Sequence, residues 1–64
     1  IEDMQEKAMA LQWIGQLAAY AQQDYETGVR YLQESAEILE RIGSPEATNA
    51  RRLLERVQQM AEGE

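Results

Sequence analysis

The stretch "QQDYETGVRYLQESAEILERIGSPEA", residues 22–47, decides the fold because it holds one complete helix pattern between two helix-start signals. Its apolar residues recur every three or four positions, which is the period of a helix that faces a core. Asp24 can cap the first free amides of this helix through a side-chain oxygen. The tripeptide "GSP" at 43–45 then marks a helix end and, at once, a new helix start. The stretch predicts a helix at about 24–42 with another close behind it.

The same period continues on both sides and predicts flanking helices at about 3–22 and 45–61. Loops of two or three residues place consecutive helices antiparallel. The predicted fold class is therefore all-α, with three antiparallel helices in a single domain over residues 1–64. The stripes expected to form the core are Ala8, Leu11, Gly15 and Ala18 flanked by Ile14 and Ala21 in the first helix, Tyr25, Val29, Leu32, Ala36 and Leu39 in the second, and Ala47, Ala50, Leu54, Val57 and Ala61 in the third.

The composition argues against catalysis and against several classes of ligand. The chain has 64 residues with no cysteine and no histidine, so the commonest metal ligands and general bases are absent. We expect its clustered carboxylates, Glu34, Glu37 and Glu40, on an outward helix face, with Arg30 and Arg41 nearby and no pocket large enough to desolvate them. The net charge of -6 disfavours binding to nucleic acid and to anionic membrane. We expect no enzymatic activity, no cofactor and no metal.

No apolar run approaches the roughly 20 residues that a membrane-spanning helix needs. Together with the lack of cysteine, this favours a soluble, cytoplasmic protein.

With helices in these places, residues 11–47, "LQWIGQLAAYAQQDYETGVRYLQESAEILERIGSPEA", carry a recognisable set of motifs. The motifs are Ile14-Gly15 followed by Leu17-Ala18, "DYE" at 24–26, Leu32, and Ser35-Ala36. In this order they resemble a tetratricopeptide repeat (TPR), in the long variety found in kinesin light chains and repeat-bearing regulatory ATPases. The resemblance implies a hairpin of two antiparallel helices. Two features depart from it: Gly28 replaces the usual alanine, and the turn "AYAQQD" looks one residue too long.

The third helix extends the resemblance, since Leu54 and Val57 echo Leu11 and Ile14 at a spacing of about 43 residues. The chain would then hold about one and a half repeats, with the third helix as a cap or half-repeat. About three repeats are normally needed to bury the hydrophobic faces of such an array. We therefore expect this sequence to belong to a longer array or to complete its core by pairing with itself.

The first helix has a second set of large apolar residues, Met9, Trp13 and Tyr20, on a face separate from its core stripe. The second helix likewise adds Tyr31, Ile38 and Ile42. Three interpretations of Met9, Trp13 and Tyr20 stay open: packing against the third helix, a self-association surface, or a groove for a foreign peptide.

The TPR resemblance implies a groove on the first-helix face, in which glutamine amides suit a peptide backbone. On that pattern Arg52, Glu55 and Gln59 are the third-helix counterparts. The cluster of Arg51, Arg52 and Arg56 is either a clamp for a carboxylate or a solvated face balanced by Glu55. The predicted partner-binding residues are Met9, Gln12, Trp13, Gln16, Ala19, Tyr20, Arg52 and Arg56.

Two functions fit these patterns. The first is a non-catalytic protein-interaction module or scaffold that binds a peptide, an adjacent repeat or its own copy through the first-helix face. The alternative is a purely structural helical bundle, natural or designed, that assembles with itself and has no foreign ligand. We expect a protein or peptide partner, which for the second function is the chain's own copy, and we expect a homo-oligomer, namely a dimer.

Overall fold

The computed structural model describes residues 3–63, and it confirms the all-α fold. Helix α1 spans Met4–Gln16 and continues into a π-helical segment, Leu17–Ala21. Helix α2 spans Tyr25–Arg41, and α3 spans Glu46–Glu62. No strand occurs within residues 3–63. The two ends of the predicted 1–64 domain lie outside the described residues.

Helix α2 is the centre of the fold, because it packs against both α1 and α3. The buried Ser35 hydroxyl of α2 donates a 2.8 Å hydrogen bond to the carbonyl oxygen of Ala8 in α1. Gly28, which precedes Ser35 in α2, contacts Gly15, which follows Ala8 in α1. The two helices therefore run antiparallel. The core has two clusters of fully or nearly fully buried residues, Ala8, Ala36, Ile38, Leu39 and Ala50 in one and Ala19, Leu32, Leu54 and Val57 in the other.

Side-chain caps define where the first two helices begin. The Asp3 carboxylate accepts hydrogen bonds from the amides of Gln5 and Glu6. Asp24, the cap predicted from the sequence, accepts the Thr27 amide at 3.2 Å and the Thr27 hydroxyl at 2.8 Å. Each cap satisfies amides that have no partner inside their helix.

Helix α2 ends just before a glycine, as the sequence predicted. Gly43 has φ +71°, in the left-handed region that favours glycine. The Ser44 amide donates to the Leu39 carbonyl at 2.9 Å and the Gly43 amide donates to the Glu40 carbonyl at 3.2 Å. This pair of bonds is a Schellman motif, which closes the helix and turns the chain. The Ser44 hydroxyl then accepts the Glu46 amide at 3.2 Å, just before α3.

The sequence "AYAQQD" contains a widened helical turn at the end of α1. The Gln22 amide donates to the Leu17 carbonyl at 3.2 Å, a five-residue step in place of the four-residue step of an α-helix. The Asp24 amide then bonds the Ala18 carbonyl at 2.8 Å, while Gln23 takes φ +57°. The longer turn therefore leaves Asp24 in place to cap α2.

Gly15 and Gly28 allow α1 and α2 to approach very closely. A Cβ atom at position 28 would lie 2.9 Å from the Gly15 carbonyl oxygen and 3.0 Å from the Ala19 Cβ. One at position 15 would lie 2.9 Å from the Cγ of Leu32. From helix propensity alone Gly28 costs about 1 kcal/mol relative to alanine. The contact explains why glycine stands there: an alanine would meet backbone atoms.

Four details of the predicted core were wrong. Ile14 is 46% exposed and Ala21 is also exposed, although the sequence placed both beside the core stripe of the first helix. Ala61 is exposed because it lies in the last turn of α3. Ile38, expected on a face with nothing to cover it, is buried in the cluster that holds Ala8 and Leu39. Among residues 3–63 no helix is long and apolar enough to cross a membrane.

Candidate protein-binding surface

Large apolar side chains are exposed along α1 and the π-helical segment. Trp13 is 67% exposed and Leu17 is 55% exposed, and the other exposed members are Met9, Ile14 and Tyr20. Within residues 3–63, the one further large apolar side chain with comparable exposure is Ile42, just past the end of α2. The exposed apolar surface of the described chain is thus concentrated on its first helical stretch.

The buried side of this helical stretch has the opposite character. Its buried residues are small or polar, namely Ala8, Gln12, Gly15, Ala18 and Ala19. Small residues let α1 lie close to α2. Met4 and Leu11 are half-buried against the core, whereas Met9, Trp13, Ile14, Leu17 and Tyr20 are exposed. An ordinary amphipathic helix buries its large apolar residues and exposes its small or polar ones. The first helical stretch therefore has a large apolar side that the chain does not cover by itself.

One part of this surface, which we call the outer face, consists of Ala10, Trp13, Ile14 and Leu17. These four residues line a shallow depression of about 430 Å³. Their spacing of three, four and seven residues places them on one side of the helix. Ala10, Ile14 and Leu17 were missed as candidate site residues in the sequence. The sequence feature that could have identified these three residues is the absence of any charged residue from 8 to 23. Without a charged side, the sequence does not fix which face of the helix is buried.

A second depression, the inner groove, lies beside the outer face and shares Trp13 with it. It has a volume of about 350 Å³ and is lined by Met9, Gln12, Trp13 and Gln16. Gln12 is only 7% exposed, and its Oε1 atom has no hydrogen-bond partner among the described residues. A buried acceptor without a partner costs roughly 1–3 kcal/mol. Since Oε1 of Gln12 is buried from solvent, it is not open to a ligand, and the polar group that the inner groove offers is the half-buried Gln16 side chain.

The structure places the predicted first-helix residues in two groups. Met9, Trp13 and Tyr20 are exposed, so the interpretation that packs Trp13 into the monomer core is wrong. Ala19 was predicted to face a partner, but it is fully buried against Gly28. The close approach of α1 and α2 at this point leaves no space for a ligand at Ala19. Gln16 is half-buried and lines the inner groove.

The arginine cluster on α3 is divided by an ion pair. Arg51 binds the Glu40 carboxylate of α2 through two hydrogen bonds, Nε to Oε2 at 2.6 Å and Nη2 to Oε1 at 2.8 Å. Arg51 therefore links α2 to α3, whereas Arg52 and Arg56 are exposed. The hydrogen bonds from Arg51 lower the pKa of Glu40 below its ordinary value, and the bond to Glu40 raises the pKa of Arg51.

Replacing Arg51 by alanine should raise the pKa of Glu40 back toward its ordinary value, because the carboxylate loses its bidentate donor. Since the folded-state pKa is lowered, the pair adds stability above the unfolded-state pKa of Glu40 and loses it as the pH falls through the folded-state pKa. An NMR titration of the Glu40 carboxyl carbon measures the shift. Arg52→Ala is the matched control and should leave the Glu40 titration nearly unchanged. Equal titration curves for the original chain and Arg51→Ala would contradict the ion pair.

A third surface depression, of about 530 Å³, lies elsewhere, where the start of α1 meets α2. Its walls include long charged side chains of both signs, among them Lys7, Arg30, Glu34, Glu37 and Arg41. Ordering such flexible side chains around a ligand costs conformational entropy, so this depression is a weaker candidate than the apolar surface of α1.

No family model, curated protein or solved structure matches this chain. The TPR resemblance therefore stays a prediction. Within residues 3–63 no group of three or more acidic, histidine or cysteine side chains is arranged to hold a metal ion.

Proposed function

We propose that this chain is a non-catalytic protein-interaction module that binds a protein or peptide partner through the exposed apolar side of α1. The observation that carries the proposal is the inverted character of α1, with small residues buried and with Trp13, Ile14 and Leu17 exposed. Contiguous apolar surface rimmed by polar residues is typical of protein-binding sites. A scaffold role, in which the chain holds another protein in place, follows from the same surface.

Trp13 is the expected energetic centre of the interaction. An exposed tryptophan beside apolar neighbours is the residue type most enriched among those that dominate binding energy. It borders both the outer face and the inner groove, so a partner on either side would bury it. Its 67% exposure leaves most of the indole available for that contact.

The inner groove favours a peptide partner. The half-buried Gln16 amide can donate to and accept from the backbone of an extended peptide, with an apolar side chain between Met9 and Trp13. Arg52 and Arg56 are exposed on α3 and remain candidates for contacts with a carboxylate of a partner. The apolar groove and the exposed arginines together favour a partner of mixed apolar and acidic character.

The proposed class is a TPR-like helical repeat. It is supported by the antiparallel hairpin of α1 and α2, by their close crossing at Gly15 and Gly28, and by α3 packed on α2. A cytoplasmic location, expected from the sequence, stays part of this proposal.

Selection from a displayed random peptide library tests the proposed function. We expect peptides to be enriched on the unaltered chain and to lose at least tenfold in affinity on Trp13→Ala. The matched control is Ile42→Ala, which removes another exposed apolar side chain outside α1 and should leave binding unchanged. Circular dichroism should show both variants folded, since surface substitutions usually change stability by about 0.5 kcal/mol or less.

Failure to enrich any peptide whose binding depends on Trp13, in a chain that also stays monomeric, would contradict the proposal. The second candidate function is a structural bundle that assembles with itself. The uncharged outer face favours it, because such a surface suits a second apolar helix as well as a peptide.

A further inference from the structure

The outer face has a pattern that is symmetric about its own centre. Ala10, Trp13, Ile14 and Leu17 are spaced so that the midpoint between Trp13 and Ile14 is equally far from Ala10 and Leu17. If a second α1 lies antiparallel across this midpoint, Ala10 of each copy meets Leu17 of the other. Trp13 of each copy likewise meets Ile14 of the other. The small residue faces a large one at both ends, so the two faces can interdigitate.

The charge distribution also permits contact between two copies. A net charge of -6 makes most surfaces of this chain repel their own copy. The outer face avoids that repulsion, since residues 8–23 contain no charged side chain. In the same antiparallel arrangement Lys7 of one copy lies beside the exposed Tyr20 of the other. An ammonium group near an aromatic ring is an attractive contact, and the symmetry forms it twice.

We propose that the outer face binds a second copy of this chain through an antiparallel pair of α1 helices related by a two-fold axis. This inference rests on the proposed function, in that it names the partner of the outer face, and it leaves the inner groove for a peptide. A contact made by one helix pair is small, below about 1,200 Å² in total, so the dimer is weak and reversible. We expect dimer at hundreds of micromolar and monomer at a few micromolar.

Sedimentation equilibrium with charge-swapped variants tests the pairing. Leu17→Glu and Ala10→Lys each place a charge in the contact, and each alone should weaken dimerisation at least tenfold. An equal mixture of the two variants should restore the dimer, because the introduced ammonium and carboxylate groups then meet across one end while the other end keeps its original pair. Gln58→Glu adds the same charge as Leu17→Glu to an exposed position on α3 and should still dimerise. Circular dichroism verifies that each variant is folded.

Three results would overturn the inference. They are a monomeric unaltered chain at every concentration, a mixture that stays monomeric, and a Gln58→Glu chain that dissociates as strongly as Leu17→Glu. The proposed function fails separately. A chain that stays monomeric but still binds selected peptides through Trp13 would contradict the dimer. The same result would support the proposed interaction module.

Discussion

Replacing Gly28 by alanine should lower the free energy of unfolding by about 1–3 kcal/mol, the usual effect of overpacking. Helix propensity predicts the opposite, a gain of about 1 kcal/mol. The contact decides between the two, since the new methyl group would lie 2.9 Å from the Gly15 carbonyl oxygen and 3.0 Å from the Ala19 Cβ. A backbone oxygen cannot rotate aside, so α1 and α2 would have to separate. Urea unfolding followed by circular dichroism measures the change.

Gly63→Ala is the matched control for this substitution. A Cβ atom at position 63 has the Gln59 carbonyl oxygen as its nearest neighbour at 3.4 Å, an ordinary contact. Its stability should therefore stay close to that of the original chain. If Gly28→Ala were as stable as the original chain or more stable, the close crossing of α1 and α2 would be wrong.

The Leu32→Ala variant should be largely unfolded under conditions where the original chain is folded. Leu32 is fully buried in the cluster with Ala19, Leu54 and Val57, so one side chain joins α1, α2 and α3. Truncating a buried leucine to alanine costs about 2–5 kcal/mol. Total stability scales as roughly 0.05–0.15 kcal/mol per residue, so the loss is a large part of what this short chain has.

Ile42→Ala is the control for this second variant, because Ile42 is exposed and its loss should cost less than about 1 kcal/mol. All variants should be compared at one low protein concentration, since self-association would add to apparent stability. Similar urea midpoints for Leu32→Ala and Ile42→Ala would contradict the core assigned to Leu32.

The helices and their ends could be read from local chemistry. Asp24 has a side-chain oxygen within reach of free amides, and Gly43 can take the left-handed conformation that closes a helix. These preferences act within a few residues, so they are visible without the rest of the fold. The apolar stripes of α2 and α3 were similarly clear because charged residues mark their solvent side.

The orientation of α1 could not be read in the same way. With no charge between 8 and 23, apolar residues occur around the helix and no polar side fixes which face is buried. The choice is made by a tertiary contact, the crossing of Gly15 over Gly28. That contact buries Gln12 and Ala19, which were predicted to face a partner, and exposes Ile14 and Leu17.

The π-helical segment was likewise beyond local reasoning. From the TPR resemblance, the sequence predicted only one extra residue in the turn after α1. Whether that residue widens the helix or lengthens the loop depends on where α2 must begin, and here Asp24 is held by the Ala18 carbonyl.

The most direct test of the α1 surface is sedimentation equilibrium of the unaltered chain, with fluorescence emission of Trp13 followed in the same samples. Trp13 is the only tryptophan, so its emission reports on this surface alone. We predict that mass rises toward that of a dimer with concentration, while the emission moves to shorter wavelength as the indole is buried. The contradicting result is a constant monomer mass together with the emission of a water-exposed indole, at every concentration and with every selected peptide. It would show that the apolar surface of α1 binds neither a second copy nor a peptide.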